Sequence, residues 1–411
     1  MKPLKLAFLS YRSSPLSGGQ GIYLKNVCEA LLRQGHDITV FSGEPLPKLT
    51  SKIKLVKIET PGYFETFSFG ERIKIFQSLQ KKDLFEFKDF FEAITGVFSE
   101  PKNFGDRLSL NNDFLELKDS FDIFHDNQSI SNYPSFMHKK LVTTLHHPIH
   151  VDKELDLKFE TDFFLRLAIK RWYSFLEVQK KNLKQSRLVI TPSNNSKKDI
   201  KKYFNFPESF IEVIWNGINL EEHKAEAKTD FNGKLISIIS SDVPMKNLSN
   251  LIKGFAIARE KIQGLTLTII GDIREKNLEL IDQLNLNDSI NYLPKLAKEN
   301  LLTELQNADI GISASLYEGF GFPLIEMMAS GLPVIVSNRG SLPELMGNAG
   351  ICFDPEDIND LSIKIVNMAQ NHALRDDFAK QSTQRRDDFF DWDEYAKRLV
   401  ILYHKIINGH I

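Results

Sequence analysis

Two glutamates, Glu318 and Glu326, stand seven residues apart in "SLYEGFGFPLIEMMASGLPVIVSN", with "GFGF" between them. Glycines allow a backbone to come close to a ligand. Pro323 suits the first turn of a helix, whose unpaired N–H groups carry partial positive charge. The bend therefore reads as an anion site, suited to phosphate. Glu318 falls in the loop and Glu326 within the first helical turn or so, where each carboxylate can accept hydrogen bonds from hydroxyls. A ligand with phosphates in the middle and hydroxyl-rich groups at both ends fits, and a nucleoside diphosphate sugar has that layout. The plainer alternative is that Glu318 caps a turn and Glu326 complements the helix dipole.

Other residues join this constellation more weakly. Gly18, Gly19 and Gly21 follow an apolar run directly and form either a ligand-approaching loop or an ordinary tight turn. No acidic residue follows where a dinucleotide would need one. Lys246, in "ISSDVPMKNLSNLIKGF", reads on its own as a solvated surface charge. His125, His146 and His147 end or follow apolar runs, and none has metal-ligand spacing with a carboxylate, so no metal is expected. Gly271 and Asp272 end another run. The lysine-rich "QKKNLKQSR" and "SKKDIKK" read as solvated helix faces.

The elements that must position these residues alternate from end to end between short β-rich runs and longer helical ones, the mark of parallel sheets covered by helices. "LKLAFLSY", "DITVFSG", "FDIFH", "LVTTLH" and "LVITPS" supply a first set of strands, the last leading to Ser193 as an N-cap. "KLISIIS", "LTLTIIG", "SINYL", "ADIGISA", "LPVIVSN" and "GICFD" supply a second. Between the two sets, "EVIWNGINLEEHKAEAKTDFNG" joins an Asn-Gly turn to a polar stretch and suits a hinge. The glutamate loop follows "ADIGISAS", at the carboxyl edge of a parallel sheet, where ligands of such folds bind.

The glutamate pair, the "GFGFP" between them and the following "ASGLPVIVSNRGSLPEL" resemble the nucleotide-sugar half of the family 4 retaining glycosyltransferases. "SGGQGIYLKNVCEALLRQGHDITVFSG", "VIWNGIN" and the terminal aromatic-plus-helix segment extend the resemblance over nearly the whole chain. It implies an α/β GT-B fold: two Rossmann-like doubly wound domains, an interdomain cleft, and a C-terminal helix crossing back to the first domain. The expected division is residues 1–215 on the acceptor side, 216–385 binding the nucleotide sugar, and 386–411 as the returning helix. The resemblance assigns Glu326 to the ribose hydroxyls, Glu318 to the donor sugar hydroxyls, and Gly319, Phe320, Gly321 and Phe322 to backbone contacts with the donor. Lys246 balances the diphosphate charge, His146 lies near the donor sugar with His147 as the second choice, and Gly18 and Gly19 contact donor or acceptor. Glu318, His146 and Lys246 form the expected catalytic set. One departure stands out: where an arginine commonly precedes the lysine by five positions, this chain has Ser241.

Bulk properties bound the partners. Lysine plus arginine number 52 against 54 acidic residues, which gives no global field for nucleic acid. Cys28 and Cys352, the two cysteines, read as small core residues, and no apolar run approaches membrane-spanning length, so a cytoplasmic enzyme is expected. The Phe- and Lys-rich segment 61–120 reads first as an amphipathic insertion packed on the first sheet and second as a peripheral membrane or acceptor surface. The expectation is retaining transfer of a sugar from a nucleotide donor to an unspecified acceptor, in glycan or polysaccharide synthesis, with no cofactor beyond the donor. A nucleotide-sugar-binding protein without turnover, for which Ser241 is the support, and a GT-B sugar-nucleotide epimerase are the rivals. An epimerase needs an acid/base pair beside the sugar, which the sequence does not offer.

Overall fold

The computed structural model describes residues 2–14, 19–59, 100–219 and 230–411, together with residues 70, 71, 73, 74, 77 and 223. Gly18 and much of the 61–120 segment lie outside the described residues. That segment's described stretch from residue 100 onward includes helices Glu100–Leu110 and Asn112–Leu117, whose Phe104, Leu108 and Phe114 are buried in the core.

The chain divides into two compact units, residues 1–192, 197–214 and 392–411 in the first and residues 193–196 and 215–391 in the second. The first unit holds a seven-stranded parallel sheet of β1 (Lys5–Ser10), β2 (Asp37–Ser42), β3 (Lys54–Lys57), β4 (Ile123–Asn127), β5 (Leu141–Thr144), β6 (Leu188–Thr191) and β7 (Ile211–Val213). Their order is β3-β2-β1-β4-β5-β6-β7. The two short edge strands were not among the expected strands. β7 takes up Glu212 and Val213, which the sequence assigned to the hinge, because its register against β6 pairs Ile190 with Glu212 and Thr191 with Val213.

The second unit holds β8 (Lys234–Ser241), β9 (Thr266–Asp272), β10 (Ile290–Leu293), β11 (Ile310–Ser313), β12 (Val334–Ser337) and β13 (Gly350–Phe353), in the order β10-β9-β8-β11-β12-β13. Successive residues feed opposite faces. Leu235, Ile310, Ile312 and Ile335 join one apolar cluster, while Ile236, Val334 and Val336 join the other. Burial on both faces explains why these strands read as continuous apolar runs. In each sheet the strand order reverses once, between β1 and β4 and between β8 and β11, and a crevice opens at such a switch point beyond the strand carboxyl ends.

The terminal helix, Trp392–Ile407, belongs to the first unit and buries Trp392, Tyr395, Leu399 and Tyr403 there. It is tied into the sheet by a buried polar chain. The Tyr403 hydroxyl lies 2.5 Å from His125 Nδ1, His125 Nε2 lies 2.7 Å from Thr144 Oγ1, and Tyr23 Oη lies 2.9 Å from both Thr144 Oγ1 and Tyr395 Oη. Residues 386–391 instead stay with the second unit. Phe389 is buried in its core and packs 5.3 Å from the Trp215 ring, with the Arg385 guanidinium 5.0 Å above that ring. The aromatic entry to the tail thus closes the second unit before the returning helix begins.

Candidate active site

At the second unit's switch point, Lys246 and Glu318 come from the two loops that flank it. Lys246 ends a 3-10 turn, Pro244–Lys246, after β8, and Glu318 follows β11. Lys246 Nζ lies 2.6 Å from Glu318 Oε1, and both side chains are largely buried, at 11% and 15% exposure. Ser315 Oγ donates to the same carboxylate oxygen at 2.8 Å. Two hydrogen bonds join the loops: Leu316 N–H donates to the Met245 carbonyl at 2.7 Å, and the side-chain Nδ2 of Asn247 donates to the Ala314 carbonyl at 3.2 Å. A charge pair held this way offers a cation to phosphate and a carboxylate to hydroxyls within one crevice.

Gly319 to Phe322 form the bend. Gly321, at φ +93°, is the N-cap of helix Phe322–Ala329, so the helix begins one residue before Pro323, which keeps its place in the first turn. The Gly319 carbonyl accepts from the Ser193 and Ser196 hydroxyls at 2.7 and 3.3 Å, all within the second unit. Among the described residues the N–H groups of Gly319, Phe320 and Gly321 have no acceptor in the protein, which leaves them available to an anion.

The loop after β12 fixes this bend from behind. Ser341 N–H donates to the Glu318 carbonyl at 3.1 Å, and Ser341 Oγ donates to the Phe320 carbonyl at 2.8 Å. Gly340 sits at φ +60° so close that a Cβ would lie 2.7 Å from Glu318 N and 2.8 Å from Glu318 O. Only glycine permits that contact. The sequence reading quoted this stretch within "ASGLPVIVSNRGSLPEL" but singled out none of Gly340, Ser341 and Ser315; an isolated glycine after a strand was the available signal. Glu344 of the same loop is a structural hub: its carboxylate accepts from Asn194 N and Nδ2 and from Trp215 Nε1 at 2.9 to 3.2 Å.

Glu326 lies one residue further into the helix than a start at Pro323 would place it. It is the fifth residue of the helix, beyond the first turn, so it neither caps the helix nor meets the dipole. It is half-buried, and desolvation pushes its carboxyl up to about 7, against a smaller lowering by Lys298. Such a group ionises most readily when a ligand supplies hydroxyl donors. Ser241, where an arginine was expected, ends β8 opposite Asp272, and Arg339 of the neighbouring loop is committed to Asp354 and Glu356 at 3.2 and 3.8 Å. Positive charge at the pair therefore rests on Lys246.

Beside the first unit's switch point stands a neutral histidine. Gly19 opens helix Gly19–Arg33 just beyond β1, and Gly21 is the glycine the loop requires, since a Cβ there would lie 2.0 Å from the Ser14 carbonyl oxygen. His146 follows β5, and its Nε2 lies 2.9 Å from Asn127 Oδ1. Asn127 Nδ2 faces the Gln20 carbonyl at 3.3 Å, which can only accept, so Oδ1 must face the histidine and Nε2 must carry the proton. Burial, helped by neighbouring His147, lowers the His146 pKa to about 3, so the ring is neutral with Nδ1 as its basic nitrogen. The Tyr23 ring meets it edge-on at 4.7 Å. His147 instead pairs with Asp152 at 2.8 Å, and His125 is consumed by the Tyr403 and Thr144 bonds. Asn127 was missed although it stood two residues beyond His125.

Known proteins share this architecture. Residues 17–222 match the model of Glycosyltransferase Family 4, and residues 220–385 match that of glycosyl transferases group 1. The MMP alpha-(1->4)-mannosyltransferase of Mycolicibacterium hassiacum is 29% identical over 98% of both chains. The O-antigen chain mannosyltransferase RfbU of Salmonella typhimurium is 27% identical over 59% of this chain and 71% of its own. Among solved structures, sucrose-phosphate synthase from Thermosynechococcus elongatus superposes with a TM-score of 0.71 at 18% identity, covering 99% of this chain and 100% of that one. Anabaena HepE, in complex with UDP and glucose, gives 0.66 at 16% identity, covering 97% and 99%. Two Rossmann-like sheets, a carboxylate–lysine pair at the second switch point and a family model spanning half the sequence lead to one conclusion: the chain belongs to Glycosyltransferase Family 4 and is a GT-B glycosyltransferase.

Proposed function

We propose that the enzyme transfers a mannosyl residue from a nucleoside diphosphate sugar to a glycan acceptor, with retention at the anomeric carbon. The observation that carries this reading is the Lys246–Glu318 pair at 2.6 Å across the β8/β11 switch point, beside the N–H groups of Gly319 to Gly321. The choice of mannose draws support from the full-length relative, which is a mannosyltransferase.

In this reading Lys246 and the bend amides take the diphosphate. Glu318 takes donor sugar hydroxyls, and Glu326 takes the ribose. The C1–O bond to the diphosphate breaks as the acceptor oxygen bonds to C1 on the same face, and the acceptor's hydroxyl proton passes to the departing phosphate oxygen. Charge builds on that phosphate, so a fixed cation and fixed N–H dipoles stabilise the transition state more than the ground state. No side-chain nucleophile is required. Neutral His146 contributes a hydrogen bond at Nδ1 and no proton. Two free cysteines, Cys28 buried and Cys352 half-buried, fit a reducing cytoplasm.

The test is a panel of UDP-, GDP- and ADP-sugars, mannosyl donors included, assayed for transfer and slow hydrolysis, with the anomeric configuration of the product read by NMR. The reading expects a mannosyl donor to dominate and an α donor to give an α product. Preference for a glucosyl or N-acetylglucosaminyl donor would overturn the choice of sugar, and inversion would overturn the mechanism. Binding without turnover would revive the rival reading, which no structural feature now favours.

A further inference from the structure

A helix in a globular protein ordinarily hides one apolar stripe. Helices His150–Phe159 and Phe163–Trp172, which follow His146 and His147 directly, contain no buried residue. The second helix, FFLRLAIKRW, has seven apolar residues, three cations and no acid. Phe163 and Phe164 are 66% and 77% exposed, and with Phe159, Leu165 and Leu167 they make up five of the fourteen exposed large apolar side chains among the described residues. Scattered exposed leucines need no explanation, but five within nine positions mark an interaction surface.

The hairpin is built to stand there. Asp162 caps the second helix by accepting from Leu165 N–H at 2.8 Å, and the Arg166 guanidinium donates to the Leu157 and Glu160 carbonyls. Its other acids are engaged, three of them by residues outside the two helices and Glu160 within the turn between them. Asp152 pairs with His147, Glu154 accepts from the Tyr203 hydroxyl, Asp156 accepts from the Tyr173 hydroxyl, and Glu160 accepts from Asp162 N–H. Lys170 and Arg171 are exposed, and among the described residues they have no ion-pair partner. The carboxylates of Asp152, Glu154 and Asp156 are thus held by partners outside the two helices, while unpaired cations stand beside exposed phenylalanines.

We infer that the Phe163–Trp172 helix docks on an anionic lipid surface, its phenylalanines entering the headgroup boundary and Lys170 and Arg171 meeting lipid phosphates. An apolar face flanked by unpaired cations is complementary to that surface. A second copy of the chain would gain nothing from two facing cation pairs. The hairpin leaves the sheet directly after the His146 loop, so docking brings that edge of the first unit to the membrane, where a lipid-carried acceptor would be met. The inference is independent of the donor assignment.

The test is co-sedimentation of the full chain with phosphatidylcholine vesicles, with and without phosphatidylglycerol. Binding is expected to the anionic vesicles only, falling about tenfold or more for Phe163→Ser/Phe164→Ser and for Lys170→Glu/Arg171→Glu. The second loss should shrink in high salt, since exposed charges are screened. These side chains are exposed, so circular dichroism and transfer to a water-soluble acceptor should be unchanged in both variants. Equal binding to neutral vesicles, no binding, or wild-type binding by either variant would overturn the inference. So would self-association abolished by the phenylalanine substitutions, which would identify a second copy as the occupant.

Discussion

The two switch points are the same topological feature carrying different side-chain pairs. At β8/β11 a lysine and a glutamate face each other at 2.6 Å, with backbone N–H groups beside them. Beyond β4 and β5, next to the β1/β4 switch point, a neutral histidine is held by an asparagine whose amide is itself oriented by the Gln20 carbonyl. Low-dielectric surroundings make charge costly unless a ligand or partner meets it. The Lys246–Glu318 pair therefore suits a substrate bringing its own charge, and the neutral Asn127–His146 pair suits hydroxyls. The difference teaches that two sheets of one topology divide the work by which polar atoms their loops leave available.

The largest expected effect falls on the charged pair. Lys246→Ala should lower kcat/KM by about 100-fold or more, the loss typical of removing one preorganised group that stabilises a developing oxyanion. Steady-state kinetics with the preferred donor measure it, and a loss below threefold would put the leaving-group charge elsewhere. Gly340→Ala comes next. A Cβ 2.7 Å from Glu318 N must displace that loop, and a shift of about 1 Å at a positioning loop costs up to about 100-fold in rate. Tenfold or more is expected in kcat/KM.

Glu326 sharpens the comparison through pH. Its carboxyl lies at about 7 instead of 4.5, and ribose hydroxyls donate best to the ionised form. Donor affinity should therefore fall as pH drops below about 7, and binding near neutrality should release a proton, read by calorimetry in buffers of different ionisation enthalpy. Glu326→Gln should abolish both effects. Stability runs the other way. A carboxyl raised on folding favours the folded state when protonated, so that contribution is full below about 4.5 and is lost as pH rises through about 7.

The smallest effect belongs to the neutral pair. Asn127→Ala should release the His146 tautomer and lower kcat severalfold with little change in KM for the donor. Imidazole nitrogen shifts should show the Nε2–H form in the wild-type protein and a mixture in the variant. Asn127→Asp should raise the His146 pKa from about 3, which the same spectra would follow.

Much of this division was legible in the sequence. Glu318, "GFGFP" and Glu326 announced a loop-to-helix anion site because glycine and proline act locally, and the apolar runs announced both sheets because parallel strands are buried on two faces. What was hidden depends on contacts distant in sequence. Gly340 and Ser341 matter because they touch Glu318, more than twenty residues away, and Asn127 matters because β4 lies beside β5. The helical position of Glu326 was misjudged by one residue because a glycine N-cap, rather than the proline, sets the start of the helix.

The central claim is that the Lys246–Glu318 pair is kept for donor binding and not for stability. Replacing a largely buried ion pair with apolar residues of similar volume is often neutral for folding, so Lys246→Met/Glu318→Leu should melt within a few degrees of the wild-type protein. Titrating both proteins with the nucleoside diphosphate of the preferred donor decides the matter. The account predicts wild-type binding and a loss of about 100-fold or more in the folded double variant. Equal affinity in both proteins would contradict it.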